Sequence, residues 1–415
     1  MESGEVRHII GSRDFSLDFE VCEGESEFTQ YFIKVASRYL RAILPEGVEV
    51  LSIGLVPLLY PLTEKPTDLE GLDRTIYDTC VRTLRLCMNL HYEDCPWREQ
   101  ALYVLDSRNQ MLCGYYTFKE TAFPKASLRL IGQSIRNDNF LELCSPARVA
   151  ITIPCFCAVY LVQMWEYVLF SGDIEFAREM LPVCEKVCSA FMARTAENGL
   201  IPMLQEREYW NFYEWQNGLS NSIGAVEENL TYDLPLNAFV SMAYQSMSKI
   251  LSVLGMDTAR YDEAAAKLNE ICHKAFYNEE AGWYYSKISC ADGERSHLAQ
   301  LTQSLAVCAG ICPADVLDKV LENLAYNTDQ LEVTLSHSVF RYDALLQQPE
   351  KYGRFVFDHI AKQFGYMLKE NATTFWETME GGRDFGYAGS LCHAWSAIPS
   401  YLYFRYAVGL YPDAP

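Results

Sequence analysis

The stretch DCPWREQALYVLD, residues 94–106, has the pattern of a helix start. Asp94 is a good N-cap, and Pro96 is tolerated in a first turn because the amide hydrogen that it lacks would have no partner inside the helix. Glu99, Tyr103 and Asp106 then follow at i, i+4 and i+7, which predicts that they share one helical face. Two carboxylates and a phenol on one stripe, without the Lys or Arg of an ordinary exposed face, indicate half of an acid–base site. The alternative is an N-capping aspartate followed by polar surface residues.

Outward from this stretch, the hydrophobic residues recur with a helical period from Asp68 to the C-terminus. Besides a first helix in residues 69–90 and the Asp94 helix, helical segments are predicted near residues 124–138, 152–171, 174–197, 232–255, 257–276, 297–310, 313–326, 334–346, 350–365 and 388–410. About twelve helices in consecutive antiparallel pairs predict an all-α fold, an (α/α)6 toroid of six helical hairpins with loops gathered around a central pocket. An open α-solenoid is the structural alternative.

The N-terminal residues have a different pattern. Short apolar, β-branched runs such as VEVLSIGLVPLLY, residues 48–60, end at Pro61. We therefore expect residues 1–65 to form a short β-rich segment, the remnant or tail of a β domain, and residues 66–415 to form the (α/α)6 catalytic domain.

Composition limits the partners. The formal net charge of −21, from 34 basic and 55 acidic residues, argues against nucleic acid and anionic membrane surfaces, which would repel the chain. No continuous apolar run long enough to span a membrane is evident in the sequence. The 27 Tyr and 7 Trp suit the stacking of a sugar as well as a large core. The charge fits a neutral substrate such as a carbohydrate, and a homodimer is permitted but not specifically indicated.

The 15 cysteines are scattered without a Cys-x-x-Cys pair, which favours buried, reduced thiols and a reducing compartment. The N-terminus MESGEVRHII shows no signal-peptide pattern, so a cytoplasmic location is expected. The sequence contains no His-Glu-x-x-His, P-loop, G-x-S-x-G or G-x-G-x-x-G motif, and we expect neither a metal ion nor a cofactor.

Three further groups of residues carry chemistry. Glu377 follows Trp376 just before the glycines at 381 and 382, and His393 opens the last predicted helix. The long connection between residues 198 and 235 contains the aromatic and acidic residues Trp210, Glu214 and Trp215. An indole beside a carboxylate suits a sugar site, although such pairs also arise by chance, a single His is more often structural, and the aromatic loop could simply be pinned to the helices. Paired carboxylates in an aromatic pocket are what glycoside hydrolysis requires.

Three motifs in this order resemble those of the bacterial α-L-rhamnosidases of glycoside hydrolase family 78. The first is Asp94-Cys-Pro with Arg98-Glu99, an aromatic residue four positions later and Asp106. The second is Thr373-Thr-Phe-Trp-Glu377, and the third is Ser390-Leu-Cys-His393, where the family has Ser-Leu-Asn-His. The resemblance covers roughly residues 66–412 and implies an (α/α)6 glycosidase that acts with inversion on terminal α-L-rhamnose.

By motif position, the resemblance implies that Glu99 is the general acid and Glu377 the general base. Residues implied or expected to bind the sugar are Asp94, Arg98, Tyr103, Asp106, Trp210, Glu214, Trp215, Trp376 and His393. Matching Glu99 requires a one-residue gap in the first motif, and Glu214 would compensate for an aspartate that the family has in a Gly-Asp-Trp loop. An inverting pair of carboxyl groups should stand ~6.5–9.5 Å apart. The alternatives are the same fold acting on another sugar, such as a hexuronide or an arabinoside, and a catalytically silent carbohydrate-binding protein.

Overall fold

The computed structural model describes residues 6, 8–10, 13–226 and 229–415. Thirteen α-helices lie in these residues: α1 Gly71–Leu86, α2 Val104–Thr117, α3 Ala122–Gln133, α4 Pro154–Ser171, α5 Ile174–Met192, α6 Leu234–Val253, α7 Ala259–Phe276, α8 Gln300–Cys308, α9 Ala314–Tyr326, α10 Ser338–Leu345, α11 Pro349–Lys369, α12 Asp384–Tyr387 and α13 Ile398–Leu402. The strands are short: β1 Ile9–Ile10, β2 Arg13–Asp14, β3 Thr231–Asp233, β4 Tyr277–Asn278, β5 Trp283–Tyr284, β6 Lys287–Ser289 and β7 Arg295–Ser296. Two 3-10 helices, Gly381–Arg383 and Ala394–Ala397, and a π-helix, Tyr403–Ala407, complete the regular structure of this part of the chain.

The helices pack in two rings. The inner ring runs through α2, α4, α6, α8, α10 and α13, and nearly every residue of α2 is buried. Tyr401 of α13 closes this ring by donating a hydrogen bond to Asp343 of α10, 3.0 Å away. The helices α1, α3, α5, α7, α9 and α11 lie outside it, and α11 packs against α1 to close the outer ring. The predicted all-α fold is therefore confirmed, and the two rings of helices are consistent with the predicted (α/α)6 toroid of six helical hairpins.

Most helices lie where the hydrophobic period predicts them, because their buried faces carry that period. In α1, Ile76, Cys80 and Leu84, which recur every four residues, are completely buried, whereas Leu72 in the same series is exposed. Asp173 caps α5 by accepting a hydrogen bond from the backbone amide of Phe176 at 3.0 Å. The segment predicted near residues 388–410 is broken into a 3-10 helix, α13 and a π-helix.

The predicted helix start at Asp94 is wrong, because α2 begins only at Val104. Residues 94–103 form a closed loop in which Asp94 pairs with Ala101 instead of capping a helix. The Asp94 amide donates to the Ala101 carbonyl at 2.9 Å, and the Ala101 amide donates to Asp94 Oδ1 at 2.9 Å. Gln100 has a φ of 55°, which interrupts any helix through this stretch. Glu99, Tyr103 and Asp106 consequently do not share a helical face.

The predicted β-rich N-terminal segment is reduced to one pair of two-residue strands, β1 and β2, in the described part of residues 6–65. Its apolar side chains are largely exposed, including Phe32 at 96% and Val56 at 86%. β-branched runs form a sheet only where neighbouring strands satisfy their backbone groups, and within the described residues this segment follows the helical surface instead. Its division from the remainder at residue 65 stays a prediction.

Short antiparallel strands that the sequence did not predict stiffen the connections between helices. Strand β6 pairs with both β3 and β7, and β4 pairs with β5. Helix α4 is long and apolar enough to cross a membrane by length and composition, but 78% of its 18-residue window is buried inside the fold. Its apolar character is accounted for by its place in the inner ring.

Candidate active site

Glu377 is fixed by a loop that folds back on itself. The backbone amide of Glu377 donates to the Ser390 carbonyl at 2.9 Å, and the Ser390 amide donates to Glu377 Oε2 at 2.9 Å. Close by, the His393 amide donates to the Phe375 carbonyl at 2.9 Å. These contacts hold the second and third sequence motifs side by side, with the Glu377 side chain only 2% exposed.

Arg98 joins the first motif to this loop. Its Nη2 donates to both oxygens of Glu377, at 2.8 and 2.9 Å, and lies 3.4 Å from Glu99 Oε1. Burial lowers the pKa of Arg98, but the negative charges of Glu377 and Glu99 outweigh burial and raise it overall. One guanidinium therefore lies between the two carboxylates that the motifs single out.

The position of Arg98 sets an upper limit on how far apart the carboxylates are. Because the 2.8 Å and 3.4 Å distances both start at Nη2, the nearest oxygens of Glu377 and Glu99 are separated by at most the sum of those distances. This limit applies to the nearest oxygens; the centres of the two carboxyl groups can stand farther apart, so it does not exclude the ~6.5–9.5 Å separation of an inverting pair.

Glu99 lies in the loop of residues 94–103 and is exposed. The neighbouring Gln100 points elsewhere, since its Nε2 donates to the carbonyls of Pro96 at 3.1 Å and Lys34 at 3.2 Å. The loop geometry thus presents Glu99, and not Gln100, to Arg98. Burial and the charge of Glu99 raise the pKa of the half-buried Tyr103, which lies beside this carboxylate.

A second cluster lies next to the carboxylates. His393 Nε2 is hydrogen-bonded to Asp106 Oδ1 at 2.8 Å, and His393 Nδ1 lies 3.9 Å from Glu377 Oε2. Asp94 comes close to the same ring, and the Ala394 amide donates to the Asp94 carbonyl at 3.1 Å. Among the described residues, the buried atoms Asp94 Oδ2 and His393 Nδ1 have no hydrogen-bond partner. Polar atoms left in this way at a buried site are suited to binding hydroxyl groups.

The electrostatics of this cluster are unusual. Burial raises the pKa of Asp94 to about 7, although the positive charge of His393 opposes the rise. Burial lowers the pKa of His393, but the hydrogen bond to Asp106 and the charges of Glu377, Asp106 and Asp94 raise it to about 9. The site thus favours the protonated forms of both Asp94 and His393 more than water does, and perturbed groups of this kind are common at functional sites.

The aromatic side chains of Phe385, Trp215 and Trp210 form one wall of the candidate site. Phe385 lies 4.9 Å from the Trp215 ring, centroid to centroid, and the Arg98 guanidinium carbon lies 5.5 Å from the Phe385 centroid. Trp210 packs on Trp215 at 6.0 Å, and its Nε1 donates to the Asn221 carbonyl at 2.7 Å. The wall therefore links the aromatic loop of residues 210–215 to Arg98.

Two predicted sugar-binding residues lie away from the wall. Glu214 is completely buried, and its carboxylate accepts hydrogen bonds from the backbone amide and hydroxyl of Thr334 and from the Trp215 amide. Trp376 is 9% exposed and packs beneath Gly381, where an added Cβ would lie 2.9 Å from the indole. Both residues shape the loops instead of presenting their side chains to the carboxylates.

Sequence reasoning missed two residues of the site. Phe385 has a φ of 50° and the following Gly386 a φ of 65°, and no pattern of residue types announces such a left-handed turn. Trp395 stacks on His393, with ring centroids 3.9 Å apart, and its Nε1 donates to the Glu377 carbonyl at 3.0 Å. The position of this aromatic residue, two residues after His393, was the signal in the sequence that could have indicated it.

The comparisons with known proteins agree with the fold. The model of the bacterial α-L-rhamnosidase six-hairpin glycosidase domain matches residues 70–407, so the chain belongs to this family. Among curated proteins, none matches the chain.

Several solved structures are similar. A family 78 rhamnosidase of Bacillus sp. GL1 is 25% identical with a TM-score of 0.74, and the match covers 83% of this chain and 36% of that one. A rhamnosidase of Klebsiella oxytoca with rhamnose bound is 21% identical with a TM-score of 0.67, covering 85% and 66%. An α-L-rhamnosidase of Streptomyces avermitilis complexed with L-rhamnose is 14% identical with a TM-score of 0.66, covering 83% and 32%. This chain thus corresponds to about a third of the length of the Bacillus and Streptomyces proteins.

Proposed function

We propose that this protein is a glycoside hydrolase that removes terminal α-L-rhamnose from glycans or glycosides. The observation that carries the proposal is the meeting of Glu99 and Glu377 at Arg98, directly beside the His393–Asp106 pair. Two carboxyl groups flanking one bond, with buried polar atoms to bind hydroxyls, are the requirements of this chemistry. The family and the rhamnose-bound relatives support rhamnose as the sugar.

In the proposed mechanism, Glu99 protonates the glycosidic oxygen as the bond breaks. Its exposed position suits this role, because the leaving group departs towards solvent. Glu377 takes a proton from the attacking water, and Arg98 and the Ser390 amide hold its carboxylate in place. Asp94 and His393 bind sugar hydroxyls through Oδ2 and Nδ1, the buried atoms without partners.

We propose inversion at the anomeric carbon, as the family resemblance implies. A water must then fit between Glu377 and the sugar. The Arg98 guanidinium, which now contacts both oxygens of Glu377, must therefore leave room for that water. Proton NMR of the first-formed product anomer tests this step. Release of β-L-rhamnose from an α-L-rhamnoside supports inversion, whereas release of α-L-rhamnose would make Glu377 a nucleophile.

The contacts of Arg98 and Arg383, the two arginines that could pair with a uronate, favour a neutral sugar over a hexuronide. A uronate needs a cation, yet Arg98 is already paired with Glu377, and Arg383 is exposed and 4.0 Å from Glu380. A neutral deoxy sugar requires no such partner.

Hydrolysis of a panel of p-nitrophenyl glycosides, including the α-L-rhamnoside and a hexuronide, tests the substrate. We expect turnover of the rhamnoside by the wild type. Turnover of another glycoside alone would overturn the sugar, and saturable rhamnose binding without any turnover would identify a carbohydrate-binding protein instead.

A further inference from the structure

Three potential metal ligands converge beside the proposed sugar site. One carboxylate oxygen of Asp94, Cys95 Sγ and one ring nitrogen of His393 all lie within 4.8 Å of one another, and all three residues are buried. A sequence scan for closely spaced ligands could not find this cluster, because its members are separated by almost 300 positions. The hydrogen bond from the Ala394 amide to the Asp94 carbonyl holds the two chain segments together.

Two of the three ligands have a free coordinating atom. Asp94 Oδ1 already accepts a hydrogen bond from the Ala101 amide, whereas the buried Oδ2 has no partner among the described residues. The same holds for His393 Nδ1. Asp94 is 1% exposed and His393 2%, and buried polar atoms without a partner call for a ligand.

His393 is oriented as metal-binding histidines are. Its Nε2 is engaged by Asp106 Oδ1 at 2.8 Å, which fixes the ring, and its Nδ1 has no hydrogen-bond partner among the described residues. A carboxylate on the far nitrogen of the imidazole is the usual support of a ligating histidine. Glu377 Oε2 lies 3.9 Å from Nδ1, and a water or a further ligand would complete a tetrahedral shell around a bound cation.

We propose that Asp94, Cys95 and His393 form a binding site for a borderline-soft divalent cation, Zn²⁺ above all, and that the cation excludes the sugar. Sulfur, nitrogen and carboxylate donors suit Zn²⁺, while Mg²⁺ and Ca²⁺ prefer oxygen ligands alone. Binding displaces the thiol proton of Cys95 and any proton on His393 Nδ1 to solvent, without a redox step. The exclusion of sugar rests on the proposed function, because it requires that Asp94 and His393 bind sugar hydroxyls. Zn²⁺ is then an inhibitor and not a cofactor.

Cobalt titration of the whole chain tests the metal site without any need for hydrolysis. A thiolate bound to Co²⁺ gives a near-ultraviolet charge-transfer band, and we expect one such band that saturates at one equivalent and is displaced by Zn²⁺. Cys95→Ser should abolish the band. The matched control is Cys392→Ser, which removes the neighbouring thiol beside His393 and should leave the band in place.

The outcomes separate the site from its alternatives. Absence of the band in the wild type, or its persistence in Cys95→Ser, overturns the proposal. Loss of the band in Cys392→Ser alone would move the site to the Cys87–Cys392 pair, whose sulfurs lie 4.0 Å apart, and would also overturn it. If Cys95→Ser melts well below the wild type, His393→Asn serves as the second variant and should weaken cobalt binding at least ~10-fold.

Competition between the cation and the sugar is measured in a separate experiment. Zn²⁺ should raise the KM for the rhamnoside without changing kcat, and L-rhamnose should displace Co²⁺ from the wild type. A chain that binds Co²⁺ through Cys95 but hydrolyses no glycoside would retain the metal site and refute the proposed function. A change in kcat alone would refute the shared site.

Discussion

The two loops that carry the paired carboxylates are built differently. Glu377 is almost fully buried and receives three hydrogen bonds, two from Arg98 and one from the Ser390 amide. Glu99 is exposed, and its ion pair is a single 3.4 Å contact with the same arginine. A base that must aim at one water benefits from a rigid setting, whereas an acid that meets varied leaving groups needs access. The difference suggests that the two roles can be told apart by experiment.

Glu377→Gln should lower kcat more than any other substitution proposed below, because it removes the buried, hydrogen-bonded carboxylate of the Glu99–Glu377 pair. Loss of a general base lowers kcat by ~10²–10⁴-fold, and the loss should be equal for good and poor leaving groups. The amide also removes the buried carboxylate partner of Arg98 and leaves only the exposed Glu99 beside its charge, at a cost of about 1–3 kcal/mol in the free energy of unfolding. Steady-state kinetics and thermal melts measure the two effects.

The matched control for Glu377→Gln is Glu380→Gln in the same loop. Glu380 is exposed and only 4.0 Å from Arg383, so its substitution should change neither kcat nor the melting temperature appreciably. A Glu377→Gln variant with wild-type turnover would remove Glu377 from the mechanism.

Glu99→Gln should have the next largest effect, and its size should depend on the leaving group. A poor leaving group needs a proton, so turnover of an alkyl rhamnoside should drop ~10²–10⁴-fold. A 2,4-dinitrophenyl rhamnoside leaves without protonation and should be far less affected. Because Glu99 makes few contacts, the melting temperature should hardly change.

Gln100→Asn is the control for that comparison. It keeps an amide at the neighbouring position, and Asn tolerates the left-handed backbone found there. Equal losses of Glu99→Gln on both rhamnosides would argue against an acid role for Glu99.

The sequence predicted the features that depend on local patterns and missed those that depend on contacts between separated residues. The helices were predictable because the buried faces of helices such as α1 repeat every three to four residues. The motif resemblance predicted Glu99, Glu377 and His393 as site residues, and the structure brings these three residues together. The loop of residues 94–103 was mistaken for a helix because the cap and proline signals are local, whereas the Asp94–Ala101 pairing closes the loop across seven residues. Phe385 was missed because its left-handed backbone has no signature in the sequence.

Phe385→Ala tests the aromatic wall that connects the loop of Glu377 to the aromatic loop of residues 210–215. The change removes the contact with Trp215 and the ring beneath Arg98. We expect KM to rise several-fold with little change in kcat, since stacking surface is lost while the carboxylates remain. Tyr387→Ala, an exposed aromatic residue in the same turn, is the control. A large drop in kcat would instead show that Phe385 positions Arg98.

Glu214→Gln should have the smallest effect on activity and a distinct signature in stability. Burial raises the pKa of Glu214 from 4.5 to about 7, although its hydrogen bonds with Thr334 and Trp215 oppose the rise. A raised pKa in the folded state stabilises the protein at low pH, and this contribution is lost as the pH rises from 4.5 through about 7. Gln cannot ionise, and the Thr334 hydroxyl can accept from its amide while donating to Ser336. The Trp215 amide then faces an NH2 group instead of an oxygen, a cost that does not depend on pH. The melting temperature of the variant relative to wild type should therefore increase from pH 4.5 to pH 8, whereas Glu206→Gln, on the exposed part of the same connection, should show a constant difference. A constant difference for Glu214→Gln as well would mean that its carboxylate does not take up a proton in this range.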